Sequence, residues 1–333
     1  MDVLIVTRGK MQRKSGQEVI AEFTHWLMGE DRSPKTARLY AIALERFFVW
    51  WEQSHETEDS VCEISGITKY DVKNYKDWLW TEAKSRANTV NAYLAGLRSF
   101  FNWLVDEVEA IPANPAARIK GAGVVKLPPK ALSRDQQATV LAAVEAETAK
   151  STVAHKEATH PARVWSLRDE AIVKLFLGTG IRLSELAALQ MDDVQIRSSK
   201  KAEPHVLVRR GKGGKERVVE LEAEAIDALR RWLEVRPKRE GCKALFVGQK
   251  KTRGGLSPRA ISNVVCQAGK RVNLHLTPHM LRHTFATDLL DQGNDLVTIQ
   301  TLLGHQNINT TTVYTQPTAQ KRLRAVQSRS WSE

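Results

Sequence analysis

The sequence predicts a mainly α-helical chain of two domains with one small β-hairpin. Apolar residues recur at helical spacing through most of the 333 residues. One stretch, from Ile111 to Lys130, is broken by Pro112, Pro115, Gly121, Gly123, Pro128 and Pro129. Alternating apolar residues flank a tight-turn sequence at one place, Gly211-Lys212-Gly213-Gly214-Lys215. The expected layout is an N-terminal extension over residues 1–16, a first domain over 17–117, a linker over 118–131, a second domain over 132–317 and a tail over 318–333.

In the first domain, Val19, Ile20, Phe23, Trp26 and Leu27 mark one helix. Ser33-Pro34 starts a second, because a hydroxyl caps free amides and proline's missing N–H is no loss in a first turn. Helices over 69–83 and 88–105 complete a four-helix bundle without strands. In the second domain Ser133 caps a helix through Val144, followed by a polar stretch, Glu145 to Pro161, with no assigned conformation. Helices are expected over 168–177 and from Leu183 through Leu186, Leu189 and Val194, then the hairpin, then helices over 223–233 and 257–272. A short extended piece over 245–247 precedes the last of these. His155 and His160, five residues apart, do not share a helical face, so metal binding is not expected there.

The net charge of +12 and pI near 9.6 point to a polyanionic partner. Residues 1–117 hold 14 Lys and Arg against 17 Asp and Glu, so the positive charge belongs to the second part. The longest apolar runs are too short to span a bilayer, and Met1 to Arg8 lacks the basic start of a secretory signal. Cys62, Cys242 and Cys266 form no Cys-x-x-Cys pair. A cytoplasmic protein is expected, nucleoid-associated if its polyanion is DNA.

The densest chemistry lies between Thr277 and Thr315. Thr277-Pro278 starts a helix that carries His279 and Arg282 on one face. A second helix fits Leu296 to Leu303, capped by Asp295 and ended by Gly304, with His305 immediately after it. Asn309 can cap a further short helix bearing Tyr314. Two imidazoles, a planar guanidinium fork and a phenol suit phosphodiester chemistry: the fork matches a phosphate, imidazoles donate or accept protons, and the phenol can attack phosphorus.

His279-x-x-Arg282-His283-Thr284-Phe285-Ala286-Thr287, Leu302-Leu303-Gly304-His305 and Thr311-Thr312-Val313-Tyr314 resemble, in order and spacing, the second signature box of the tyrosine recombinase (phage-integrase) family. Gly178-Thr179-Gly180-Ile181-Arg182-Leu183-Ser184-Glu185-Leu186 resembles its first box, and Ser33-Pro34-Lys35-Thr36 with Thr89 to Leu104 resembles its core-binding domain. The resemblance covers about residues 17–326. It implies a core-binding domain followed by a catalytic domain, in a two-domain Xer-like member. The catalytic set it implies is Arg182, Lys212, His279, Arg282, His305 and Tyr314, with Lys215 as fallback for Lys212 and Glu185 supporting Arg182. No cofactor and no metal are implied.

By the same resemblance, Tyr314 would form a 3′-phosphotyrosyl link on double-stranded DNA carrying specific recombination sites. A homo-tetramer on two sites would form from monomers or dimers, with the tail docking on a neighbouring protomer. The task would be integration and excision, or resolution. Candidate DNA contacts are Arg32, Lys35, Arg38, Arg86 and Arg98 in the first domain, Lys126 in the linker, and Lys250, Lys251 and Arg259 in the second domain. A type IB topoisomerase-like enzyme and a non-catalytic DNA-binding regulator are the alternatives.

Overall fold

The computed structural model describes residues 2–7, 10–30, 32–55, 61–123, 131–197, 203–209, 216–249 and 254–304. The chain divides into two compact units, Met1–Lys126 and Leu127–Glu333. Both are mainly helical with a small sheet.

The first unit opens with two strands, β1 (Asp2–Thr7) and β2 (Lys10–Ser15), paired antiparallel. Helix α1 (Gly16–Gly29) follows directly, with Ser15 and Glu18 exchanging the two hydrogen bonds of a capping box. Helix α2 (Pro34–Ser54) starts at the Ser33-Pro34 cap. Strand β3 (Val61–Glu63) then pairs parallel to β1, giving the order β2-β1-β3. Helices α3 (Lys69–Thr81) and α4 (Ala87–Asp106) complete the unit.

The four helices agree with expectation, but the strandless bundle does not, and the extension over residues 1–16 is largely sheet. Val3 and Ile5 are buried on one face of β1, the period-2 signature of a half-buried strand. Their partner lies far along the chain, where Val3 pairs with Cys62. Six apolar and charged residues met alone do not show that pairing.

The core of this unit is aromatic. Phe23 meets Phe100 edge to face at 5.4 Å, and Phe47 meets Tyr75 the same way at 5.1 Å. The start of the stretch expected as linker is tied to α4. Asn91 donates to the Ala122 carbonyl and accepts from its amide, at 3.0 and 2.7 Å. Arg98 donates to the carbonyls of Ala116 and Ile119.

The second unit begins with α5 (Arg134–Ala154), α6 (Pro161–Thr179) and α7 (Leu183–Ala188). Helix α5 runs ten residues past the expected end at Val144. Its later turns bury Thr148 and Ser151 rather than large apolar residues, so hydrophobic periodicity fades while the helix continues. Helix α7 is shorter than expected. After it Gln190 and Asp193 cap a 3-10 turn (Met191–Asp193), and Val194 begins a strand instead of ending a helix.

Strands β4 (Val194–Gln195), β5 (His205–Val208) and β6 (Arg217–Glu220) form an antiparallel sheet in that order. Helices α8 (Ala223–Val235), α9 (Pro258–Arg271), α10 (Pro278–Asp291) and α11 (Leu296–Leu303) follow. Helix α6 is the central post, with Ala171, Ile172, Val173, Leu175 and Phe176 all inaccessible. Its one deeply buried carboxylate, Glu170, is matched by Lys174 at 3.0 Å and Arg231 at 2.6 Å.

Gly180 ends α6 with φ at +57°, and a Cβ there would run into the Phe285 ring of α10. Gly180→Ala is therefore expected to destabilise the second unit by about 2–4 kcal/mol, from left-handed backbone strain plus overpacking. The shift of the urea unfolding midpoint checks this.

Candidate active site

Helix α10 starts as its residues dictate: the Thr277 hydroxyl accepts the Met280 amide at 3.2 Å, with Pro278 at the first position. Its inner face, Leu281, Arg282, Phe285 and Ala286, is buried. Thr284 ties it to the chain before α5, accepting the Leu132 amide at 2.9 Å. Helix α11 is capped by Asp295, which accepts the amides of Val297 and Thr298, and it ends at Gly304 with φ at +64°.

The end of α11 is where the site is built. A helix leaves its last carbonyls unpaired and partially negative. Here three consecutive carbonyls each accept a guanidinium. Arg217 Nε donates to Leu302 at 3.0 Å, Arg282 Nη2 to Leu303 at 2.7 Å, and Arg182 Nη2 to Gly304 at 2.8 Å. Arg282 Nη1 also donates to the Gly180 carbonyl at 2.6 Å, so one side chain joins the ends of α6 and α11.

Glu185 holds two of these arginines. Its carboxylate accepts Arg182 Nη1 at 2.8 Å, the Arg182 amide at 2.7 Å, and both terminal nitrogens of Arg217 at 2.9 and 2.8 Å. Its side chain is 2% exposed, against 28% for Arg182 and 11% for Arg217. Burial opposes ionisation, but the hydrogen bonds from Arg217 and the Arg182 amide, with the Arg217 charge, outweigh it and hold the carboxyl at about 2. Among the described residues, three guanidinium groups at the end of α11 and the one carboxylate that holds two of them leave a net positive cluster suited to an anion.

His279 lies one turn before Arg282 on α10, exposed, with its ring edge to face with His283 at 4.1 Å. Partial desolvation and then the Arg282 charge hold its pKa below the ordinary imidazole value. The neutral form, able to accept a proton, therefore prevails at neutral pH.

The structure thus brings together Arg182, Glu185 and Arg282, with His279 adjoining on the same helix. Lys212, Lys215, His305, Tyr314, the short helix expected at Asn309, Lys126, Lys250, Lys251 and the tail over 318–333 lie outside the described residues. Of the expected DNA contacts, Arg32, Lys35, Arg38, Arg86 and Arg259 are exposed. Arg98 is half-buried and commits its guanidinium to two backbone carbonyls, which leaves fewer donors for a phosphate.

Arg217 escaped the sequence reading as a site residue. The available signal was its phase: in β6 it lies two residues before buried Val219, which puts an arginine on the inward face while Val218 between them is exposed.

A fold of two mainly helical units with small sheets is the architecture the motifs implied. The chain belongs to the phage integrase family, the tyrosine-type site-specific recombinases: the family's own pattern matches residues 145–321, and its N-terminal SAM-like domain matches residues 17–109.

Among curated relatives, it is 31% identical to tyrosine recombinase XerA of Thermococcus kodakarensis over 315 residues, 94% of this chain and 95% of that one. It is 35% identical to tyrosine recombinase XerC of Alcanivorax borkumensis over 254 residues, 75% of each chain. Its fold is similar to that of XerH recombinase in a post-cleavage complex with a palindromic difH substrate, with TM-score 0.72, 21% identity and coverage of 96% of this chain and 85% of that one. It is also similar in fold to a lambda integrase dimer bound to a core site, with TM-score 0.64, 18% identity and coverage of 95% and 79%. No helix among the described residues is long and apolar enough to cross a membrane.

Two outcomes follow from the charges. A depressed carboxyl pKa contributes stability that is complete above the unfolded value, 4.5, and is lost as pH falls through the folded value, about 2. The stability gap between the parent protein and Glu185→Gln is therefore constant near neutrality and shrinks between these values, by roughly 3 kcal/mol in all. Urea unfolding at stepped pH measures it. The His279 ring protons are expected to titrate with a midpoint below 6.5 by NMR, and Arg282→Gln should move that midpoint up.

Proposed function

We propose that this chain is a site-specific recombinase that cuts and rejoins double-stranded DNA through a 3′-phosphotyrosyl intermediate. The observation that carries the reading is the guanidinium pair Arg182 and Arg282, fixed by hydrogen bonds at the end of α11, one residue before His305. Fixed cationic donors of this kind stabilise charge that grows on a phosphate as it is attacked.

In this reading the Tyr314 oxygen attacks the scissile phosphorus. A tyrosyl–phosphorus bond forms, the bond from phosphorus to the 5′ oxygen breaks, and the strand leaves as a 5′-hydroxyl. Arg182, Arg282 and His305 hold the non-bridging oxygens. His279, neutral at physiological pH, takes the tyrosine proton, and Lys212 gives a proton to the leaving oxygen. The reverse attack by a 5′-hydroxyl from another strand restores the phosphodiester and regenerates the phenol. Because each step exchanges one phosphate ester bond for another of similar energy, rejoining needs no nucleotide hydrolysis.

The active assembly is a homo-tetramer on two sites, formed from monomers or dimers, with the tail of one protomer docked on the next. The DNA-bound XerH and lambda integrase structures support duplex DNA as the partner. Arg32, Lys35, Arg38, Arg86 and Arg259, with Lys126, Lys250 and Lys251, would follow its phosphates, and Arg98 would serve more by holding residues 116–119. Integration and excision of an element, or resolution of joined DNA, is the task such strand exchange performs.

The test is covalent trapping on nicked duplexes carrying sites from the DNA that flanks the gene, read by denaturing electrophoresis. A protein–DNA adduct is expected from the parent protein, none from Tyr314→Phe, and roughly 100-fold slower formation from Arg182→Ala or Arg282→Ala. Tight binding without an adduct, on substrates that trap a known recombinase, would favour a DNA-binding regulator instead.

A further inference from the structure

Arg217 stands outside the six proposed catalytic residues, yet it is heavily committed at the end of α11. All three of its nitrogens are engaged. Both terminal nitrogens grip Glu185, Nε donates to Leu302, and the side chain lies flat on Gly304, where a Cβ would sit 3.0 Å from Nη1. Facing inward and so engaged, it does not itself reach for a phosphate. Its position makes it the link between the hairpin strand β6, the carboxylate that orients Arg182, and the turn that leads to His305.

We propose that Arg217 is a positioning residue for phosphate activation: by occupying one side of Glu185 it sets the Arg182 guanidinium against Gly304. The two arginines compete for one carboxylate. Glu185 Oε1 is shared between Arg182 Nη1 and Arg217 Nη1, and Oε2 between the Arg182 amide and Arg217 Nη2. Without the Arg217 fork, the buried carboxylate has, among the described residues, only Arg182 to neutralise it, and it draws that guanidinium into a two-pronged grip of its own. The Arg182 donor to Gly304 is then lost, and the Leu302 carbonyl loses its partner as well. A lysine at 217 keeps the charge but cannot supply a planar fork and a third donor together.

This inference rests on the recombinase reading, and the test separates the two. The parent protein, Arg217→Lys, Arg217→Ala and Arg182→Ala are compared in adduct formation on the cleavage site found by trapping. One duplex carries the ordinary scissile phosphate, the other a methylphosphonate at the same position. A methylphosphonate has no negative non-bridging oxygen, so it has less need of a correctly set guanidinium.

Arg217→Lys is expected to keep the parent's melting temperature to within a few degrees and its DNA affinity to within a few-fold, and to cleave the phosphate roughly 100-fold more slowly. On the methylphosphonate the gap should close to within about threefold, and the Arg182→Ala gap should close with it. Should Arg217→Ala fail to fold, Arg217→Lys alone decides. Parent-like cleavage of the phosphate by Arg217→Lys, or an equal loss on both duplexes, would overturn the positioning role and leave the recombinase reading intact. No adduct from the parent protein on either duplex would overturn that reading and this inference with it.

Discussion

The site of the second unit depends on one buried carboxylate. Glu185 is placed by its own backbone, since as the third residue of a short helix it accepts the amide of Arg182 at the cap. From there it holds two guanidinium groups that carry more charge than it can cancel. A buried ion of this kind is costly alone and favourable only when fully paired, so the carboxylate and its two arginines stand or fall together. The electrostatics of the site are thus a consequence of local helix capping.

The second constraint is the end of α11. Most helices hand their last carbonyls to water or to a following turn. This one offers Leu302, Leu303 and Gly304 to arginines that come from β6, α10 and the start of α7. Elements far apart in the chain are therefore joined at a point where the backbone itself is the acceptor. The acceptors cannot rotate away as side chains can, which keeps the guanidinium planes fixed before any phosphate arrives.

Much of this was legible in the sequence because its signals are local. Thr277-Pro278, Asp295 and Gly304 mark the ends of α10 and α11, and the structure places the caps at those residues. Arg182, Glu185 and Arg282 were legible through motif resemblance, and their convergence required the fold. Other features are not local. The later turns of α5 bury Thr148 and Ser151, which read as surface residues when their neighbour α6 is unknown. The strand at Val3 needs Cys62 beside it, and the role of Arg217 follows from Glu185, 32 residues earlier.

The parallel pairing of β1 with β3 also bears on the order in which the molecule takes shape during synthesis. Strands β1 and β2 can meet as soon as residue 15 has left the ribosome, but the other edge of β1 stays open until residues 61–63 emerge, after the whole of α2. Loop closure of that size is slower than the hairpin or either helix. Cys62 lies on the closing strand, and in the finished sheet burial pushes its thiol up to about 12, so it is inert to alkylation there. Before closure the same thiol is ordinary and reactive. A sulfur atom with no part in the chemistry of DNA thereby records when the first sheet of the nascent chain has closed.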